Sequence, residues 1–258
     1  MTNLSDLFPA GAGKQVSFTA SGNVTSSGKP VVLNSDGTVS EVPGPSEAIG
    51  TETEFASVRS DYTEAVYDVN ANRIVIFYYG NLTGPYAVVG TVSGSSISFG
   101  TPVATGAGTI YGSMGAVYDS TNNKVLYGYR TGTASGLKVV VGTVDPSDNS
   151  ITFGTAAAVD DGNNENGGSM AYDANAQRLV VSFRDANNSQ YGAASVGTVS
   201  GTSISFGTPV LYTSAAMSST GTSTVHDPVS QKVLLGYRNN SGTIRAVSYT
   251  HLRATRPY

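Results

Sequence analysis

The 258-residue chain contains no cysteine and no tryptophan, and its two histidines, His226 and His251, lie in different segments. Missing cysteine excludes disulfides, thiolate nucleophiles and thiolate metal sites. Two isolated histidines supply no ligand set for a zinc site, so neither a metal nor a cofactor is expected. Charge is equally sparse: Asp, Glu, Lys and Arg make up 12% of residues and the net charge is −4. Such a chain offers no basic surface for phosphate backbones, and nucleic acid is not an expected partner. No apolar run is long enough to span a bilayer, so no membrane insertion is expected. The leading MTNLSDLFPAGAGKQ has neither a basic leader nor an apolar core, so no secretory signal is expected there. No stretch carries a helical period.

What is present is turn chemistry in a repeat. There are 31 glycines and 15 tyrosines. VVGTVSGSSISFGTPV returns as VVGTVDPSDNSITFGTAA and SVGTVSGTSISFGTPV, with Phe99, Phe153 and Phe206 spaced by 54 and 53 residues. A period of this size marks one supersecondary unit used several times. A second anchor fixes its phase. Tyr67-Asp68, Tyr118-Asp119 and Tyr172-Asp173 recur at spacings of 51 and 54, and His226-Asp227 follows after 54 more, with His in the Tyr slot. Five residues after each Asp stands a base (Arg73, Lys124, Arg178, Lys232), preceded by an amide (Asn72, Asn123, Gln177, Gln231). Asp bonds the amides of its own turn and the amide residue tolerates left-handed backbone, which makes a tight hairpin between two strand-forming runs.

Four strands per unit follow. The first is short and built of small residues (SMGAVYD, GSMAYD), the second is the aliphatic run after the base, and the third is Val-rich and ends in GTV. The fourth alternates, with Ile97 and Phe99 on one face and Ser96 and Ser98 on the other. LKVVVGTV is apolar on both faces and demands cover on both. The fold expected is all-β: a β-propeller of four-stranded antiparallel blades, innermost strand first. A linear solenoid or a string of hairpins are the alternatives. Gly50-Thr51 aligns with Gly100-Thr101 as the end of an orphan outer strand, so first and last segments are expected to complete one blade together and leave no open edge.

The expected layout is an arm over residues 1–14, a small β-hairpin module over 15–42, a linker over 43–47 and propeller repeats over 48–247. In the fourth copy the Gly-Thr-Val expected at 248 is replaced by Ser248 and the string VSYTHLRATRPY. The string VSYTHLRA resembles translated sequencing-adaptor read-through, which implies that residues 248–258 are not native.

Several residues are candidates for function. Asp160, Asp161 and Glu165 crowd one loop, but Gly and Glu are not where a calcium loop places them, so an Asx-rich loop without metal is expected. His226-Asp227 are sequence neighbours, which does not make a triad. No pair of carboxylates stands out for glycoside hydrolysis, and no catalytic residue is assigned. The second strand ends in an aromatic-Arg pair at Tyr129-Arg130, Phe183-Arg184 and Tyr237-Arg238, the arginines spaced by 54 and 54. With Asp185 and the Asn/Ser/Gly loops that follow, Arg130, Arg184, Arg238, Tyr129 and Tyr237 suit recognition of sugars or carboxylates. The competing reading is that each Arg ties one blade to the next.

The N-terminal pattern (an aromatic strand, a Gly-Lys-Pro turn and an Asp-Gly turn) resembles short modules of bacteriophage virion proteins. Together with the GTVSGxSISFGTPV repeats, the chain resembles propeller-type structural proteins of marine tailed phages. That resemblance implies a non-enzymatic, tail-associated virion protein for host-surface attachment. Its implied partners are other virion proteins, a host-surface glycan or protein and further copies of itself. Rival readings are a carbohydrate-active lyase or hydrolase and a kelch-like protein-binding scaffold.

Overall fold

The computed structural model describes residues 18–22, 30–42, 49–132, 136–160 and 168–250. The chain forms two compact units, Met1–Ile49 and Gly50–Tyr258. In the first, β1 (Val31–Leu33) and β2 (Val39–Glu41) pair antiparallel. Asp36 shapes their turn by accepting the backbone N–H and the hydroxyl of Thr38, at 2.9 and 2.6 Å. These bonds hold its carboxyl below the usual carboxylate range. The expected linker 43–47, Asp161 and Glu165 of the Asx-rich loop, and the tail from residue 251 lie outside the described residues.

The second unit consists of four consecutive antiparallel meanders. The first blade holds β3 (Ser60–Asp68), β4 (Arg73–Gly80), β5 (Gly84–Ser93), β6 (Ser96–Phe99) and β7 (Val103–Ala104). The second holds β8 (Ile110–Asp119), β9 (Lys124–Thr131), β10 (Leu137–Asp145), β11 (Ser150–Phe153) and β12 (Ala157–Ala158). The third holds β13 (Gly168–Asp173), β14 (Arg178–Asp185), β15 (Tyr191–Ser200), β16 (Ser203–Phe206) and β17 (Val210–Leu211). The fourth holds β18 (Met217–Asp227), β19 (Lys232–Asn239) and β20 (Ile244–Tyr249). The innermost strands β3, β8, β13 and β18 adjoin one another in that order. The expected propeller of four-stranded antiparallel blades is therefore the observed architecture, with no helix among the described residues.

The hairpin logic holds in detail. Asp68, Asp119, Asp173 and Asp227 each accept backbone N–H bonds two or three residues on. Asn72, Asn123, Gln177 and Gln231 all take positive φ, between 53 and 59°. The outer strand is longer than the sequence implied. In each of the first three blades it is broken at Gly-Thr and resumes as a two-residue strand on the same neighbour, β7 on β5, β12 on β10 and β17 on β15.

Blade-to-blade packing follows from strand alternation. On the second strands, Val75 and Phe77 face forward to the second blade while Val125, Tyr127 and Tyr129 face back to the first. Phe77 and Tyr127 stack with ring centroids 4.5 Å apart. Leu126 meets Leu179, Val181 and Phe183 across the next interface, and Val180 meets Val233 and Leu235 across the third. Val139 and Val141 face one neighbour and Val140 the other, the two-sided cover that LKVVVGTV demands. The repeat's glycine opposite its phenylalanine also finds its reason. A Cβ on Gly90, Gly142 or Gly197 would lie 2.8 to 2.9 Å from the Phe99, Phe153 or Phe206 ring that covers it.

Two expectations are corrected. Residues 49–59 form no strand, and the fourth blade holds only β18, β19 and β20 among the described residues, so first and last segments do not complete a blade. Gly50 nevertheless occupies an outer-strand place. A Cβ there would lie 2.0 Å from the Ser95 carbonyl in the first blade, as at Gly100 it would lie 2.3 Å from Asn149 O and at Gly154 1.8 Å from Thr202 O. The boundary at 247 also moves, because β20 runs on to Tyr249, which pairs with Val233 as Gly197 pairs with Leu179. Tyr249 packs on the core there.

Two outcomes are expected. Gly100→Ala and Gly154→Ala each force a turn of the next blade aside and should cost about 1–3 kcal/mol in urea unfolding, the usual range for overpacking. Gly207→Ala meets nothing nearer than 3.9 Å and should stay within about 0.5 kcal/mol of the parent. In alkali, burial pushes the Tyr129 hydroxyl up to about 12 and raises Tyr127 and Tyr212 as well. A folded pKa above the unfolded value of about 10 gives stability that is complete below that value and is lost as pH rises through the folded one. Part of the tyrosinate absorbance should therefore appear together with loss of β-sheet circular dichroism.

Candidate functional site

One end of the blades gathers the irregular backbone. It is the end where second strands turn into third strands and where the innermost strands begin. β3 carries a bulge between Asp61 and Glu64, β8 has bulges at Ile110/Gly112 and Ser113/Gly115, and β18 has one between Met217 and Thr222. Bulges re-aim side chains at functional rims. Tyr62, at φ 53°, and Tyr111 stand there half-exposed. Tyr62 donates its hydroxyl to Tyr111 O at 3.3 Å.

The aromatic-Arg pairs lie at one level of this end, as register requires, but they do not form one exposed ring. Tyr129 and Tyr237 are buried, Tyr129 in the core between the first two blades and Tyr237 against the Tyr212 ring at 5.4 Å. These two are corrected from ligand contacts to packing residues, because strand alternation turns them to the preceding blade. Arg184 is only 6% exposed, which takes it from surface recognition to the interior. Arg130 is partly exposed, donates from Nη2 to Tyr111 O at 3.1 Å and places its guanidinium 5.9 Å from the Tyr111 ring centre. Arg238 is exposed.

Asp185 holds a turn. Buried at 3% exposure, it accepts the N–H groups of Asn187 and Asn188 at 2.9 and 3.2 Å and the Asn188 Nδ2 at 2.5 Å. This bonding aims the β14–β15 loop at a cleft of about 310 Å³, lined by Asp160, Asp185, Asn187, Asn188, Thr208 and Leu211. A second cleft of about 290 Å³ shares Leu211 and adds Tyr191, Tyr212, Thr213 and Ser214. Sequence reasoning found the Asn-rich loop after Arg184 and the Asp160 segment as separate features. It missed Thr208, which the break in the outer strand brings opposite them, and it missed Tyr62 and Tyr111. Their signal was a tyrosine at the start of an innermost strand otherwise built of small residues.

Chemically, the cleft offers carboxylate acceptors, amide donors and acceptors, and a hydroxyl at fixed positions, with one apolar wall. That is the lining that orients a small hydroxyl-rich ligand. Among the described residues no group of three or more His, Cys, Asp or Glu could hold a metal ion.

No family model and no curated protein matches the sequence. Among solved structures, one similar chain is a protein from Lactobacillus plantarum determined as a structural-genomics target. It has a TM-score of 0.50 and 16% identity over 84% of this chain and 62% of its own. Another is a candidate 6-phosphogluconolactonase from Bacteroides uniformis, with a TM-score of 0.48 and 12% identity over 84% of this chain and 63% of its own. The chain thus spans less than two-thirds of the length of either, and at these identities the likeness bears on fold. Neither matched structure is a phage protein, and the expectation of a phage virion structural protein for host attachment is corrected to that of a propeller fold.

The buried and exposed arginines should separate on mutation. Arg184→Ala should lower stability by about 1–3 kcal/mol, the cost of disturbing a buried hydrogen-bonding group, whereas Arg238→Ala should stay within about 0.5 kcal/mol. Thermal melts of the two variants beside the parent decide this.

Proposed function

We propose that this chain is the propeller body of a carbohydrate-active protein of the hydrolase or lyase class. In this reading the cleft on the third blade binds a sugar or sugar acid of about monosaccharide size. The observation that carries it is the cleft lining itself: Asp160, Asn187 and Thr208 come from three separate segments and converge on one cavity of about 310 Å³. Hydroxyl-rich ligands need donors and acceptors in alternation, and amide and hydroxyl groups supply both. Asp185 is occupied in holding its turn through three accepted bonds. Asp160 is the other carboxylate in the cleft lining, and it is the one we assign to take or give a proton at the ligand. The exposed Tyr111 ring, backed by Arg130, extends the same end with an aromatic surface for the apolar face of a longer saccharide.

The test is a panel of neutral and acidic oligosaccharides and sugar lactones, followed by NMR for binding and by chromatography for products. The parent should bind at least one class and convert it. Thr208→Val and Asn187→Ala should each weaken binding by about 5–10-fold, the worth of one hydrogen bond. Asp160→Asn should abolish conversion while binding persists. A panel that perturbs no cleft resonance and yields no product overturns the proposal.

A further inference from the structure

The two clefts of the third blade meet at one side chain. Leu211 walls both, and the β14–β15 connection lines both, the first with Asn187 and Asn188 and the second with Tyr191. These features depart from the repeat. Leu211 holds the register of Ala104 in the first blade and Ala158 in the second, each on the short strand that pairs with a third strand. It stands 44% exposed, beside Val210 at 55%, so the wall is not buried in the core. Tyr191 faces Asp185 at the place where Gly84 faces Gly80 in the first blade. At both positions a large apolar side chain replaces a small one.

The chain reaches this arrangement through unfavourable backbone. Ser189 and Gln190 take φ of 54 and 64° in succession, and the Tyr191 N–H donates to Asn188 O at 2.9 Å across them. Those angles mark a type I′ turn, which Asn and Gly adopt readily and Ser and Gln do not. The turn is held from the far side. Gln190 O accepts the Met217 N–H and Gly192 O accepts the Tyr212 N–H, each at 2.8 Å, which fixes Tyr191 between them. The Thr213 hydroxyl accepts the Ala215 N–H at 3.0 Å and so shapes the other rim. The second cleft thus differs in chemistry from the first. Tyr191, Tyr212 and Leu211 make it chiefly aromatic and aliphatic, with the exposed Ser214 at its edge.

We propose that the second cleft is a subsite for a second sugar unit, so that the ligand of the third blade is a disaccharide or longer saccharide that crosses Leu211 and lays its second ring on Tyr191. This rests on the sugar-binding reading of the first cleft and narrows it. The clefts are of like volume, about 310 and 290 Å³, so a single ring that fills the first leaves the second unused. Their common wall and common loop require that the second occupant be joined to the first. A pyranose ring carries hydroxyls at its edge and C–H groups on its face. The edge suits the amides, hydroxyl and carboxylates of the first cleft, and the face suits an aromatic ring that also offers a polar tip.

Matched pairs of sugars decide it: glucose against cellobiose and maltose, and galacturonate against digalacturonate, titrated into the full chain by NMR. At least one disaccharide should bind about 10-fold more tightly than its monosaccharide, the worth of one stacked ring. It should shift the resonances of Tyr191 and Ser214 together with those of Asn187 and Thr208, whereas the monosaccharide should shift only the latter two. Tyr191→Ala should bring the disaccharide down to the affinity of its monosaccharide, while Thr208→Val weakens both members of the pair alike. Should Tyr191→Ala fail to fold, Ser214→Arg, at an exposed site, fills the second cleft and gives the same reading. Equal affinity within every pair, or a disaccharide advantage that survives both Tyr191→Ala and Ser214→Arg, overturns this inference and leaves the reading of the first cleft standing. Binding by no member of any pair overturns both.

Discussion

The structure depends on burying both faces of each blade's second strand between neighbours. Alternation sends Val125, Tyr127 and Tyr129 to one side of the second blade and Leu126 to the other, so no blade can satisfy its sheet alone. Each fully buried aliphatic or aromatic side chain contributes roughly 1.5–3 kcal/mol, and these side chains are covered only when another blade arrives. Stability is therefore a property of adjacency. Among the described residues, Leu234 of the fourth blade is 40% exposed at a position that is sealed in the other three.

Turns secure the adjacency at its rims. In the first two blades the outer strand breaks at Gly-Thr, and Gly100 and Gly154 lie so close to a carbonyl in the next blade that no side chain fits. At the opposite rim the Asp turn receives the slot residue of the following blade. Arg73 adds a third tie, donating from Nε to Asn149 Oδ1 at 2.5 Å and from Nη2 to Pro146 O at 2.7 Å across the first interface. With the rims held, the end where second strands turn into third strands is left to vary. It is there that bulges, exposed tyrosines and the Asn-lined cleft collect, in keeping with rigid scaffolds that carry function on loops.

Two features link packing to the proposed chemistry. Asp185 does not meet a ligand as a free carboxylate. Its bonds to Asn187 and Asn188 fix the loop that lines the cleft, which explains a buried acid at the cleft's edge. Tyr212 joins the clefts to the core, its ring against Tyr237 and its hydroxyl pushed to a higher pKa by burial. The second cleft thus rests on the interface between the third and fourth blades, and loss of the fourth blade would loosen it.

The sequence by itself determined the blade: its period, its four strands, the left-handed residue after each Asp turn and the aromatic covered by a facing glycine. These are local or single-sheet constraints, set by φ preferences and by alternation along one strand. Only the tertiary structure decided which members of an equivalent set are accessible. Arg130, Arg184 and Arg238 are alike in sequence, yet one lies over a tyrosine, one is buried and one is exposed, because their surroundings belong to neighbouring blades. The cleft was illegible for the same reason. Asp160, Asn187 and Thr208 lie on three segments of chain, and only the turning of the outer strand past the β14–β15 loop brings them together.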